Sequence, residues 1–386
     1  MTPLSAPATL KAYIDWINKG YAAGMDYLAE QLKEKAEPQS FLPQARSSIV
    51  VAIPYLDHEK QERLSQLPVA IYAQGRDYHN WVRRRLEAVV HDLQPHFPEE
   101  EFLCFADSAP IMERDLAHRS GIGWVGKNTC LINEKIGSLF FIGEIHTTLL
   151  LESPVSVAVD RCGTCTKCID ICPTEALVEP RVLDARKCLS YWTIESRDEP
   201  PISIREKSSW YFGCDLCQTI CPWNSKPLQI ASQASQDMQW GVPGRLSMEE
   251  NINENRDLIV SELRALLGAT NSQIQMRFQG TAMSRAKAHH HRNNAIILCA
   301  HYNLTELIEE VKALLYKPRH RELAEWALIK LGVRVSPAEV YGFSEGLQEP
   351  LGSQTLTNLR ESFGNSQQGH FRSEDRLKEY QPQPLE

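Results

Sequence analysis

Cys162-Gly-Thr-Cys165-Thr-Lys-Cys168-Ile-Asp-Ile-Cys172-Pro173 is the stretch that decides how this chain is read. Three cysteines two residues apart, a fourth three residues on and a closing proline form the ligand run of bacterial two-cluster iron–sulfur proteins. Downstream come a lone Cys188 and then Cys214-Asp-Leu-Cys217-Gln-Thr-Ile-Cys221-Pro222. Eight thiolates in this order are what two 4Fe-4S cubanes need. Because the fourth cysteine of such a run ligates the other cluster, Cys162, Cys165, Cys168 and Cys221 are assigned to one cluster. Cys172, Cys188, Cys214 and Cys217 are assigned to the second. Such a chain moves electrons.

Zinc and disulfides explain the pattern less well. Zinc sites use two Cys-x-x-Cys pairs separated by a loop, and this run is continuous. The start at Met1 lacks the basic, apolar, cleavable pattern of a secretory signal, which points to a cytoplasmic chain whose clustered cysteines bind metal. Cys104, Cys130 and Cys299 fall outside the set, among apolar neighbours, and read as buried free thiols. Composition is that of an ordinary globular protein, 42% hydrophobic and 23% charged, with net charge −8 over 386 residues. No apolar run reaches the length of a membrane span. The net charge excludes a globally basic nucleic-acid binder but not a local patch. Residues 270–335 carry ten Lys/Arg against five Asp/Glu.

Periodicity divides the rest. Residues 5–35 read as one helix with Leu10, Ile14, Ile17 and Tyr21 on a face. Ser47–Pro54 reads as a buried strand, Asp77 as the N-cap of a helix through Trp81, Leu86 and Val90, and Glu101–Ala106 as a strand. A helix with Pro110 in its first turn follows, stopped by Gly121, and then one or two strands over Ser138–Leu151. Strands mixed with helices make residues 1–158 an α/β or α+β domain. Residues 159–228 form a compact cluster segment that folds around its metals. Met248–Leu267, Ser284–Tyr302, Thr305–Tyr316 and Arg321–Leu331 read as amphipathic helices, similar to a short HEAT-like stack. The polar tail, 341–386, is expected to be disordered. The fold class is therefore α+β: an N-terminal α/β domain, a two-cluster ferredoxin-like domain and a C-terminal helical module.

Two clusters alone do not need some 160 residues ahead of them. The richest part of that stretch runs from Asp107-Ser-Ala-Pro110 through Glu113-Arg114 to Gly121-Ile-Gly123-Trp-Val-Gly126-Lys127-Asn128. Its GxGxxG is not a dinucleotide fingerprint, because it follows a helix rather than a strand; close backbone approach to a bulky ligand is the expected use. Together with Tyr72-Ala-Gln-Gly-Arg-Asp77-Tyr78-His79, Gly137-Ser-Leu-Phe-Phe-Ile-Gly-Glu144, the two cysteine runs, Ser190-Tyr191-Trp-Thr193-Ile194-Glu195, Cys221-Pro222-Trp223-Asn224 and Arg292-Asn293-Asn294-Ala295, this pattern resembles the epoxyqueuosine reductase family over roughly residues 25–335.

The resemblance implies an oxidoreductase that reduces epoxyqueuosine to queuosine at the tRNA wobble position, with cobalamin held by the N-terminal domain and fed electrons by two 4Fe-4S clusters. Asp107 aligns with the proton donor, a role in which a positioned acid contributes about 100- to 10,000-fold; water exclusion would keep its carboxyl protonated. Read without the resemblance, Asp107 is a helix cap. Lys127, Asn128, Trp223 and Asn224 are candidate cofactor-binding residues; Trp223 shields a cluster, and Lys127 partners a corrin amide or phosphate or is a solvated loop residue. Tyr78, His79, Arg114, Arg285, Lys287 and Arg292 are candidate substrate contacts, the last three on a tRNA-facing helix surface or merely solvated. Lys33-Glu-Lys-Ala-Glu-Pro38 departs from the family, which tends to place arginines there. The implied partners are tRNA and a small flavodoxin or ferredoxin, with the chain a monomer. The rivals are a non-enzymatic two-cluster electron carrier, which has no use for Asp107, and a corrinoid reductive dehalogenase, which has no use for the helical module.

Overall fold

Ser47-Ser-Ile-Val-Val-Ala-Ile-Pro54, an apolar run closed by proline, forms strand β2 beside a two-residue strand β1, Thr2–Pro3. In this computed structural model, which describes residues 1–56, 64–152, 157–234 and 252–335, β3 is Phe102–Phe105, β4 Trp124–Val125, β5 Leu131–Ile132 and β6 Phe140–Thr147. The main sheet has the order β1-β2-β6-β3. Every pairing in it is antiparallel: β6 meets β2 along its whole length, from Phe140 opposite Pro54 to Thr147 opposite Ser47, and Phe105 on β3 lies opposite Glu144. The expected α/β character of this part is thus corrected to α+β, since a parallel sheet needs crossovers that these strands do not make.

Alternation along β6 sends its side chains to two cores. Phe141 and Ile145 pack with Val82 and Leu86 of the helix Tyr78–Leu93 on one face. Phe140 packs with Leu116 and Ala117 of the helix Glu113–Arg119 on the other. That second helix begins three residues after Pro110. The single helix expected over 5–35 is broken into Leu10–Asn18, Tyr27–Glu30 and Leu32–Ala36, with Gly20 and Ala23 at positive φ between the pieces.

The cluster segment is short-helical: Lys167–Asp170 carries Cys168 and Leu216–Thr219 carries Cys217, and a hairpin of β7, Leu177–Glu179, and β8, Val182–Leu183, lies between them in the chain. It is bolted to the sheet domain. Asn224, fully buried, accepts from the Ser138 amide at 2.6 Å and donates to the Ser138 hydroxyl and the Gln218 carbonyl. Gly137 takes φ +69°, and a Cβ there would lie 2.0 Å from the Asn224 Oδ1, so only glycine admits this contact. Asp215 accepts from the Ile71 amide at 2.6 Å.

Trp210, Tyr211 and Phe212, all fully buried, open the next layer. Burying an apolar side chain of this size contributes about 1.5–3 kcal/mol. Tyr211 and Phe212 share one core with the helices Arg256–Gly268, Asn271–Phe278, Ala288–His301 and Arg321–Lys330. Ala288–His301 was expected to be amphipathic. It is buried from Ala288 to Cys299 apart from His289, because helices pack around it and its polar side chains are satisfied inside: Asn294 donates to the carbonyls of Thr193 and Tyr211. Residues Met1–Val335 form one compact unit, so the expected segments 1–158, 159–228 and, as far as Val335, 229–340 share cores. The expected tail, and the first residues of the Met248–Leu267 helix, lie outside the described residues.

Candidate active site

Asp107 ends β3 in the left-handed region, φ +57°, a conformation that costs a non-glycine residue roughly 1–3 kcal/mol and gathers at functional sites. It does not cap the following helix, whose N-cap position is Met112. Its partners come from the helix on the opposite edge. Asp77 caps that helix by accepting from the His79 amide, and its own amide donates to the Gly280 carbonyl, tying the helix start to the C-terminal helices. Tyr78 stacks flat on Phe141 with centroids 4.1 Å apart, and its hydroxyl donates to the Asp107 carboxylate. His79 stacks on Tyr78, with Nδ1 at 2.6 Å from Asp77 and Nε2 at 3.4 Å from Asp107.

These groups border an open cleft of about 240 Å³, walled by Tyr55, Tyr72, Tyr78, Phe140 and Phe141 and closed by Cys130 and Gln218. Half of the Asp107 side chain, 51%, opens into it. Partial withdrawal from water pushes the Asp107 carboxyl up. Hydrogen bonds from His79 and Tyr78 and the charges of His79 and Arg114 outweigh this, and the net direction is below the usual carboxylate range. In this conformation, its neighbours stabilise the anion. The hydrogen bond to Asp107, joined by Asp77 and opposed by burial, lifts His79 to about 9, so the proton resides on the imidazole. Glu113, half-buried on the same cleft, is raised to about 7 by burial and by the Asp107 charge, against Arg114, the Asp107 amide and Lys35. Lys35 supplies a cation where the sequence departs from the family. Arg114 donates to the Thr129 carbonyl at 2.8 Å and stays exposed.

The glycine-rich stretch packs against strand β5, and its non-glycine residues reach the cluster segment. A Cβ on Gly123 would sit 2.1 Å from the Ile132 carbonyl oxygen, so its close approach is to the neighbouring strand β5. Beside it, Trp124 donates from Nε1 to the Cys162 sulfur at 3.4 Å and meets Trp223 edge-on. Lys127 donates to the carbonyls of Gly163 and Cys165, and Asn128 to that of Cys217. Of the two readings open for Lys127, neither the corrin partner nor the solvated loop residue is what the geometry gives. The cysteines fall into two electrostatic groups. Cys168 feels Cys221, Cys162 and Cys165, and Cys221 feels Cys162 and Cys165. Cys214 feels Cys188 and Cys172, while Cys217 feels Cys214 and Cys188. Among the described residues no three such side chains converge as ligands of one metal ion; a cubane instead takes one thiolate at each of four separate irons.

Arg285 pairs with Glu195 at 2.9 Å, lies over the Tyr27 ring and is felt electrostatically by Asp107's side of the cleft. Lys287 is exposed. Arg292 is a correction: it is 3% exposed and donates to the Ala269 carbonyl and Asn271, so it holds helices together rather than facing a partner. The site residues the sequence reading missed are Glu113 as a cleft acid, Cys130 and the Tyr55–Tyr72 wall. Glu113 stood in the quoted motif, but only the fold turns it toward Asp107.

Residues 161–224 match the family described as 4Fe-4S double cluster binding domain, and residues 35–108 match the one described as Epoxyqueuosine reductase QueG, DUF1730. The epoxyqueuosine reductase of Synechocystis sp. is 36% identical over 283 residues, covering 72% of this chain and 91% of that protein. An epoxyqueuosine reductase crystallised with an epoxyqueuosine-modified tyrosine tRNA stem loop superposes with a TM-score of 0.67 at 26% identity, covering 86% of this chain and 85% of that one. The Bacillus subtilis enzyme, in a form with its catalytic aspartate loop swung out of the active site, superposes with a TM-score of 0.66 at 26% identity over the same shares.

Proposed function

The chain belongs to the epoxyqueuosine reductase family, and we propose that the Asp107 cleft is where the epoxide of epoxyqueuosine in tRNA is reduced to the alkene of queuosine. The observation that carries this is one of position. Asp107, Tyr78 and Glu113 share a single aromatic cleft with Gln218 of the cluster segment and with Cys130, whose thiol, pushed up to about 12 chiefly by burial, also feels Cys221 and Cys168. Removing an epoxide oxygen consumes two electrons and two protons, so electron entry and acid groups must meet at one place.

The eight cysteines fit two 4Fe-4S clusters, assigned as Cys162, Cys165, Cys168 and Cys221 to one and Cys172, Cys188, Cys214 and Cys217 to the other; the electrostatic grouping supports this partition. The Trp124 N–H on the Cys162 sulfur and the Trp124–Trp223 pair, which screens that side from water, tune its potential. The open cleft with flat aromatic walls also fits a bulky planar macrocycle. Tyr55, Tyr72, Phe141 and Leu131 would line it, and a bound cobalamin would supply two-electron reduction of a carbon–oxygen bond.

The chain's own groups do the rest. Asp107 faces the leaving oxygen and passes it protons, Tyr78 and His79 hold that carboxylate and its proton, and Arg114 balances the charge. The Bacillus subtilis form with its aspartate loop swung out supports reading the Asp107 loop as one that closes on the substrate. Arg285 and Lys287 meet tRNA phosphates, which position without specifying sequence. A flavodoxin or ferredoxin feeds the clusters, and the chain works as a monomer in the cytoplasm; among the described residues no helix is long and apolar enough to cross a membrane. The test is anaerobic reconstitution with iron, sulfide and cobalamin, followed by reduction in the presence of an epoxyqueuosine-bearing stem loop. Mass spectrometry should show loss of one oxygen, abolished in Asp107→Asn with cluster content unchanged. A fully loaded protein that leaves the epoxide intact overturns the proposal.

A further inference from the structure

The stoichiometry of the proposed reaction leaves one proton without a source. Two carbon–oxygen bonds break, a carbon–carbon π bond forms, and the oxygen leaves as water, so two O–H bonds must be made. The two electrons arrive through the cluster segment. Asp107 is a single carboxyl with two proton-bearing neighbours. Burial and the Asp107 charge hold the Tyr78 hydroxyl far above its ordinary range, so it keeps its proton. The proton to give is the one on His79, whose Nε2 stands 3.4 Å away.

Glu113 answers the deficit. It is the first residue of the Glu113–Arg119 helix, lines the same cleft as Asp107, and its carboxylate accepts a hydrogen bond from the Asp107 main-chain amide. The two carboxyls thus line one cleft, with Glu113 tied to the main chain of Asp107 itself. The groups facing it come from each surrounding element: Lys35 from Leu32–Ala36, Arg114 from its own helix, Asp107 from the loop after β3, Tyr78 from the Tyr78–Leu93 helix, and Glu144 from β6. Glu144 is 0% exposed, neither of its oxygens has a hydrogen-bond partner, and alternation puts it on the β6 face that carries the cleft residues Phe140 and Ile142. An uncompensated anion there is too costly, so Glu144 stays neutral and leaves Glu113 free to ionise. Glu113 keeps a partly exposed edge beside the exposed Arg114, through which it reloads from solvent.

We propose that Glu113 is the acid that reloads Asp107 with the second proton. In the first step the two electrons delivered through the cluster segment take over one carbon as its carbon–oxygen bond breaks, and the His79 proton passes through Asp107 to the freed oxygen, leaving a hydroxyl on the neighbouring carbon. In the second, the electron pair at the first carbon becomes the π bond of the alkene as the remaining carbon–oxygen bond breaks, and the Glu113 proton passes through Asp107 to the hydroxyl, which departs as water. Glu113 acts through Asp107 and does not touch the reacting atoms. The inference rests on the reductase reading of this cleft.

Two measurements on the reconstituted full-length protein test it. Infrared titration in the absence of tRNA should show a carboxyl changing state near pH 7 in the wild type and not in Glu113→Gln; if the band is unchanged by the substitution, the inference falls. Single-turnover rates on an epoxyqueuosine stem loop should decline as pH rises through about 7, where Glu113 loses its proton. Glu113→Gln should be about a hundredfold slower at pH 6, the low end of a positioned acid's contribution, and flat through that range. Glu113→Asp should restore the decline. A Glu113→Gln protein with wild-type rate and profile refutes the role, whereas a wild type with no turnover at all overturns the proposed function and leaves the infrared result to judge Glu113.

Discussion

At the residue scale, three carboxyls near one cleft have been driven to different protonation states by their surroundings. Asp107 is an anion because Tyr78 and His79 donate to it, Glu113 sits near 7, and Glu144 is held neutral. Glu144 carries a stability consequence whose sign is fixed. Burial first, then the charges of Glu113 and Asp107, raise its folded-state pKa above the unfolded value. The folded state therefore holds a proton that the unfolded state releases as pH climbs past the ordinary carboxyl range, and stability falls with rising pH over that window. Glu144→Gln removes the penalty. Its melting temperature should exceed that of the wild type at pH 8 and match it near pH 4, as thermal scans at both pH values would show. A wild-type advantage at pH 8 would mean that Glu144 is ionised and partnered after all.

Among the elements, the hairpin of β4 and β5 is the joint between the sheet domain and the clusters. Its closeness depends on Gly123, whose missing Cβ leaves room for the Ile132 carbonyl. Gly123→Ala forces the strands apart at an expected cost of about 1–3 kcal/mol, visible as a melting temperature lowered by several degrees. Because Trp124 follows directly and donates to the Cys162 sulfur, the same variant should shift the reduction potential of that cluster in an electron paramagnetic resonance titration. The Ala288–His301 helix makes the opposite point. Arg292 sits in a motif that a tRNA-binding surface would also use, yet its guanidinium is spent on the Ala269 carbonyl, Asn271 and contact with His320. Arg292→Ala should destabilise by about 3 kcal/mol, since hydrogen bonds to charged groups are worth about 1.5–3. The salt dependence of stem-loop binding should not change; a slope reduced by about one unit would instead mark a phosphate contact.

For the whole molecule, the clusters are part of the fold as well as of the chemistry. Cys188, Cys214 and Cys217 are thiols raised by burial, and metal binding must deprotonate them, which couples assembly to iron. Asn224, Asp215 and Tyr211 each tie that segment to a different neighbour: Ser138, Ile71 and His291. Protein made without iron should therefore lose more than colour. Limited proteolysis should cut within 159–228 and loosen the C-terminal helices that share a core with Tyr211 and Phe212, while circular dichroism retains the Ser47–Thr147 sheet. An iron-free protein as protease-resistant as the loaded one would show that the segment folds without its metals.

What the sequence by itself determined is the local and the covalent: the cysteine spacing of a double-cluster domain, the buried strand at Ser47–Pro54 and the Asp77 cap. Each follows from residue type and near neighbours, which a linear chain displays. Family resemblance supplied the reaction before any contact was seen. Tertiary structure decided whatever depends on partners distant in sequence. It made the sheet antiparallel, packed Gly123 and Gly126 against Ile132, buried Arg292, and brought Glu113 into one cleft with Asp107. It also decided charge, since a carboxyl takes its protonation state from the donors and burial around it, and Tyr78 and His79 reach Asp107 across some thirty residues of chain.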